Sequence, residues 1–411
     1  MMQDRIERAI TAFRRDPAPL PLFCGVQHYA WGDPDYIPRL LGIPNPERKP
    51  FAELWIGAHP DLPAQAVIDG VKVPLDRLLA AAPTQLLGEL ADKYHGQLPF
   101  LLKILAAARP LSIQVHPDRR QAEAGYAREE AQGVPLDSPR RNYRDRNHKP
   151  ELLSALTPFY ALKGFRPEAE IEAELARIPE WAGLLRRLRE CGLRRFYETL
   201  MTLPQAEVDA LLGPVLQRLQ REGPWSKEQR EFWFLWADEL YSQAGHHDRG
   251  LFSIFLLNFL RLRPGDAIFQ AAGELHAYLQ GVGVEIMANS NNVLRGGLTP
   301  KHVDVPALLE IVRFEGRPAE ILRPVSHGME AVYEVPVDEF RLSRIELAGG
   351  DVFDASGALR LGIVLEGRCQ ITWSRGRISL RCGQSYLIPH GFSCRFEAVE
   401  PVILYQGACR R

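Results

Sequence analysis

The feature of this chain that most constrains its fold is a change in hydrophobic period partway along it. From about Leu22 to Phe165, short apolar runs are broken by Gly and Pro in the manner of strands, with a helical interlude from VKVPLDRLLA to LADKYHG. From Arg166 to about Gly245 the period changes, and AEIEAELARI, GLLRRLRECG and AEVDALLGPVLQRLQRE carry apolar residues at helical spacing. Beyond the loop Gly245-His246-His247-Asp248, the run SIFLLNFLRLRPGDAIFQA returns to buried apolar character with a Pro-Gly turn. From about Arg323, short strands with turn signals recur at the spacing of a sandwich or barrel, as in LGIVLEGRCQITW, RISLRCGQSYLIPHG and PVILYQG. A helix-period block cannot join a sheet, so the expected fold is mainly β with an inserted α-helical domain. Residues 1–165 and 251–322 are expected to form two parts of one β domain, 166–250 the helical insert, and 323–411 a second, smaller β domain.

Charge narrows the partners. Lys and Arg total 50 against 51 Asp and Glu, so no basic surplus is present to neutralise a nucleic acid or an anionic membrane. The start MMQDRIERAI reads as a polar helix without the apolar core of a signal peptide, and no stretch reaches the ~20 apolar residues of a membrane span. A cytoplasmic monomer is the expectation. Cys24, Cys191, Cys369, Cys382, Cys394 and Cys409 show no C-x-x-C spacing and are read as reduced and structural.

Three segments carry chemistry. In LPFLLKILAAARPLSIQVHPD, a strand over SIQVH puts Ser112, Gln114 and His116 on one face and Ile113 and Val115 on the other. Imidazole and a carboxamide oxygen are both able to ligate a metal, although a hydrogen-bonded core pair explains the same pattern. NHKPELLSALTPFYALKGFRP places His148, Lys149 and Glu151 within four residues, where Glu151 offers an anionic oxygen and Lys149 a phosphate contact or a proton; an exposed charged turn is the plainer alternative. In PGDAIFQAAGELHAYLQGVGVEIMANSNNVLRGGLTPKHVD, His276, Tyr278, Glu285 and Arg295 follow in order, and Gly296 and Gly297 are expected to let the backbone approach a ligand. An ordinary hairpin with a polar loop competes with that reading.

Together and in this order, these segments resemble the hallmark sequences of type I mannose-6-phosphate isomerases, and QHYAWG at 27–32 and ELWIGAHP at 53–60 are similar to that family's N-terminal signatures. The resemblance extends from about Leu22 to about Ile311. It implies a cupin-like β-barrel (jelly-roll) catalytic domain, a smaller C-terminal β-barrel, and one Zn²⁺ per chain on Gln114, His116, Glu151 and His276. It also implies a catalytic Arg295 and a substrate pocket lined by Trp31, Lys103, Ser112, Lys149, Tyr278 and Glu285. The implied reaction interconverts mannose 6-phosphate and fructose 6-phosphate through an enediolate, in mannose metabolism and the supply of nucleotide-sugar precursors. One carboxylate among the ligands would leave the metal site a charge of about +1, still a Lewis acid. Lys149, Glu285 and a zinc-bound water all stand as candidates for the proton carrier.

The sequence departs from the family where Ser290-Asn291-Asn292 replaces the usual Ser-Asp-Asn, since an Asn cannot exchange protons near neutral pH; Leu275 and Gly296 are milder changes. Two other readings stay open: a sugar-phosphate-binding cupin without turnover, favoured by Asn291, and a non-haem iron oxygenase, since two His and one carboxylate also describe that site. His59 and His302 are expected to structure loops, and His246 and His247 to face solvent. The C-terminal β domain is expected to be structural.

Overall fold

The strand-period runs on either side of the helical block pair with one another, in a computed structural model that describes residues 2–410. Ten strands form one antiparallel sheet. Its spine is His276–Ala288, 13 residues long and buried almost throughout. The first half of this strand pairs with Ile113–Val115 and Phe159–Phe165, the second half with Phe100–Ala107 and Glu151–Ala155. Partners change at Gly281, whose φ is 136° and where a Cβ would lie 2.6 Å from the Phe159 ring. Only glycine fits such a bend. The sheet therefore curls about its shared strand, and the chain adopts the mainly β, cupin-like architecture with helices inserted in its middle.

The helix-period block forms Glu168–Ala176, Ala182–Thr202, Gln205–Glu222 and Arg230–Tyr241. Trp181, Phe196, Trp233 and Phe234 share one buried cluster with Ile113, Val115 and Leu162 of the sheet. The helices thus cover the apolar face of the strand whose opposite face carries Gln114. His246 faces solvent as expected, with its Nδ1 2.7 Å from Asp209 Oδ2, whereas His247 is half-buried, its Nδ1 2.7 Å from Asp238 Oδ1. Carboxylates on two neighbouring helices, which no local pattern announces, capture both rings.

A second sheet has nine strands. Most come from residues after 324, but Leu20–Phe23, Gln65–Ile68 and Val71–Pro74 complete one end, with Leu20 opposite Leu387 and Leu22 opposite Ser385. These three strands, expected in the first part of the catalytic unit, pair instead with the C-terminal sheet. Alternation specifies which face of a strand is buried, not which distant edge it joins. The sheets pack together through Phe100, Ile104 and Ile286 on one and Leu342, Leu361 and Tyr405 on the other. Ser154 Oγ donates across this contact to the Tyr333 hydroxyl at 2.7 Å. A four-stranded sheet, Val352–Ala355, Cys394–Ala398, Arg368–Trp373 and Gly376–Arg381, completes the C-terminal region. No described helix is long and apolar enough to cross a membrane.

Candidate metal centre

Antiparallel register gathers residues distant in sequence. His276 is the direct cross-strand partner of Gln114, and Gln114 of Arg295, so the three project from one face of adjacent strands. The strand around Gln114 is shorter than SIQVH, spanning Ile113–Val115, with Ser112 and His116 flanking it. Glu151 opens its own strand and reaches between the two imidazoles: His116 Nε2 is 3.4 Å from Glu151 Oε1, and His276 Nε2 is 3.4 Å from Glu151 Oε2. The ligating atoms of these three buried residues lie within 4.8 Å of one another.

The chemistry of this donor set fits a metal cation. His116 Nδ1 is 2.8 Å from the Asn292 carbonyl and His276 Nδ1 is 3.0 Å from the Glu274 carbonyl. A carbonyl only accepts, so each Nδ1 carries the proton and each Nε2 presents a lone pair to Glu151. Buried His116 Nε2 has no hydrogen-bond partner among the described residues. Lone pairs facing a carboxylate at such distances repel unless a cation lies between them. Burial holds the His116 imidazole down at about 4, ahead of the opposing pull of Glu151, so it is neutral and able to ligate near neutral pH. The Gln114 amide nitrogen donates to Ser112 Oγ at 3.2 Å, leaving the carboxamide oxygen as the end Ser112 does not engage.

Around these residues lies a buried charged ring. Lys149 Nζ is 3.1 Å from Glu151 Oε1; Lys103 Nζ is 3.1 Å from Glu285 Oε2 and 3.7 Å from Glu53 Oε2. The Tyr278 hydroxyl donates to Glu285 Oε1 at 2.9 Å, and Trp55 Nε1 to Glu53 Oε2 at 2.6 Å. Two lysines face three carboxylates, a buried net negative charge that a divalent cation reverses. Burial alone would lower the Lys103 ammonium, but Glu53 and Glu285 outweigh it and hold it well above its ordinary range. Burial would raise Glu151, yet the Lys149 ammonium beside it holds it well below the usual carboxylate range. Glu285 goes the other way, raised by burial and then by the charges of Glu151 and Glu53 against the pull of Lys103.

Arg295 is half-buried, and its guanidinium makes no hydrogen bond or ion pair among the described residues. Burial, then the charge of nearby Arg144, lowers its guanidinium, and Lys301 at the rim is lowered by burial and by both arginines. The three cations lie close enough to oppose one another, and none is paired with a carboxylate among the described residues. Trp31 packs at the edge of the cluster containing Tyr278 and Leu105. Gly297, expected to approach a ligand, instead meets protein: a Cβ there would lie 2.5 Å from the Gly250 Cα. A glycine pair in a sequence signals close approach without saying to what. Sequence reasoning missed Glu53, Arg144 and Lys301; the alternation of Glu53 with Trp55 in ELWIG was the available signal for the first.

His59 is also in the site rather than serving a loop alone. Its Nδ1 accepts from the Asp61 backbone N–H at 3.2 Å, so Nε2 carries the proton and donates to Asn291 Oδ1, also at 3.2 Å. Burial lowers the imidazole, opposed by Asp61 and reinforced by Lys103, and His59 is neutral. The departure at residue 291 therefore matters electrostatically. Asn291→Asp is expected to raise the His59 titration midpoint, followed by NMR of the ring protons; an unmoved midpoint would mean that side chain 291 does not face His59.

Residues 20–168 match the family model described as phosphomannose isomerase type I, catalytic domain. The chain is 40% identical over 377 residues to the mannose-6-phosphate isomerase of Shigella flexneri, covering 89% of this chain and 94% of that protein. It is 33% identical over 362 residues to the Homo sapiens enzyme of the same name, covering 81% of this chain and 83% of that one. A crystal structure of mannose 6-phosphate isomerase from Salmonella typhimurium, bound to fructose 6-phosphate and zinc, superposes with a TM-score of 0.87 at 36% identity, over 96% of this chain and 100% of the other. Identity at this level across nearly the whole length, on the same fold, means that the chain belongs to the type I phosphomannose isomerase family.

Proposed function

We propose that this protein is a zinc-dependent aldose-ketose isomerase that interconverts mannose 6-phosphate and fructose 6-phosphate. The observation that carries the reading is a buried His116, Glu151 and His276 donor set beside uncompensated Arg295, Arg144 and Lys301. The first suits a dication, the second a phosphate dianion and a developing oxyanion. Relatives with this activity in their names, one solved with zinc and fructose 6-phosphate, support it.

Gln114, His116, Glu151 and His276 would hold the zinc, which when bound supplies Lewis acidity to polarise a sugar oxygen. Isomerisation from the open-chain aldose moves a proton from C2 to C1, and the hydroxyl proton from O2 to O1, through an enediolate. Glu285 is the favoured carrier: its buried carboxyl is raised in proton affinity, and hydrogen bonds from Tyr278 and Lys103 orient its two oxygens. Of the other two candidates, Lys149 is engaged by Glu151 and a zinc-bound water would have to stand at the metal. Charged Lys103 and Arg295 would stabilise the enediolate, with Arg144 and Lys301 at the rim taking the phosphate. Trp31, Ser112 and Tyr278 would line the sugar. Asn291 carries no exchangeable proton, so ring opening falls to another group. A cytoplasmic monomer belongs to the same reading, and sedimentation of the purified chain tests the oligomeric part.

The test is a coupled assay for fructose 6-phosphate from mannose 6-phosphate, run without oxygen, before and after chelation and with zinc restored. Zinc-restored anaerobic turnover is expected. A folded, zinc-loaded protein without turnover would leave the binding-protein alternative, and oxygen consumption with iron the oxygenase one.

A further inference from the structure

The catalytic segment Asp145–Glu151 is held from two directions. On one side residues 288–292 grip its backbone: Asn292 Nδ2 donates to the Asn147 carbonyl at 2.8 Å, and the Ala288 N–H to the Pro150 carbonyl at 3.1 Å. On the other side stands Glu339, from the loop before the strand Arg341–Leu347 of the C-terminal region. Glu339 Oε1 lies 2.6 Å from His148 Nε2 and accepts from Arg119 Nη2 at 3.0 Å.

Glu339 is only 6% exposed. Burial pushes its carboxyl up, but the hydrogen bond with His148 and then the Arg119 guanidinium outweigh burial and hold it below the usual range. His148 immediately precedes Lys149, whose ammonium meets Glu151 at 3.1 Å. His148 and Lys149 share a peptide unit, so a shift of the His148 backbone shifts Lys149 with it.

We infer that Glu339 is a positioning residue of the isomerase site: by anchoring His148, the C-terminal region sets where Lys149 stands against Glu151. The region expected to be structural thereby contributes to turnover. Its neighbour Asp338 provides the control, since it lies in the same loop and also bridges to the catalytic half, Lys93 Nζ being 3.4 Å from Asp338 Oδ2, but on the exposed surface and away from the site.

The inference rests on the isomerase reading, so zinc-loaded full-length wild type is assayed first; absent turnover there sinks that reading itself. With wild-type turnover in hand, kcat, KM and bound zinc are measured for Glu339→Ala, Glu339→Gln, His148→Ala, the Glu339→Ala/His148→Ala double variant and Asp338→Asn. Glu339→Ala is expected to lower kcat on the order of 10-fold or more with zinc content retained, as misplacement of a charged group lining the site does. Glu339→Gln, which keeps an acceptor for His148, should stay within about threefold, and the double variant should be no worse than His148→Ala alone. A Glu339→Ala enzyme within twofold of wild type overturns the inference, as do an equal fall in Asp338→Asn, additive losses in the double variant, or a fall that merely tracks lost zinc. If Glu339→Ala does not fold, His148→Ala decides: normal kcat there refutes the positioning role.

Discussion

Arg295→Ala is expected to lower kcat on mannose 6-phosphate by roughly 10²- to 10³-fold, the cost of removing one preorganised electrostatic group from a site where charge develops. The case rests on what the guanidinium lacks. It has no carboxylate or hydrogen-bond partner among the described residues, and Arg144 and Lys301 stand close enough to oppose its charge. A half-buried cation among cations is a cost to the folded state, offset only when an anion arrives. Removing it should therefore leave Tm unchanged or slightly higher while turnover collapses, the opposite of the pattern for a structural arginine. If kcat were untouched and KM alone rose, Arg295 would hold the phosphate without stabilising the enediolate.

Glu151→Gln is expected to be as damaging by a different route. Glu151 presents one oxygen to each imidazole at 3.4 Å and meets Lys149 at 3.1 Å. Glutamine keeps the shape but removes the charge that the buried lysine and the metal both need. Zinc affinity should fall on the order of 10²-fold or more, so that dialysis strips the metal and turnover drops to background. The metal-free protein should also lose stability, roughly 3 kcal/mol, because Lys149 is left buried beside a neutral amide. Metal analysis after dialysis and denaturant unfolding measure the two effects. A Gln variant that retains stoichiometric zinc and full turnover would remove Glu151 from the ligand set.

Much of this was legible beforehand, for identifiable reasons. The helical block announced itself because a 3.6-residue period is a local property, and Ile113 and Val115 fell on the helix-covered face because strand alternation is local too. Gln114 and His116 could be paired on one face by the same rule. Glu151, His276 and Arg295 were named from motif resemblance, and the fold brings Glu151 and His276 to His116 and sets Arg295 beside Gln114. By contrast, Gly297 was misread because a glycine reports close approach but not the partner, here the Gly250 backbone.

What the sequence determined by itself is therefore the kinds of element, the faces they bury, and the residue types able to ligate a metal or bind an anion. Tertiary structure alone decided the register that sets Gln114 between His276 and Arg295, the placing of Leu20–Phe23 in the C-terminal sheet, and the contact between His148 and Glu339, 191 residues apart. The physical reason is common to all three. Hydrophobic period is written within a few residues, whereas cross-strand register and buried ion pairs depend on which distant surfaces meet, and many pairings satisfy the same local pattern until the whole core selects one.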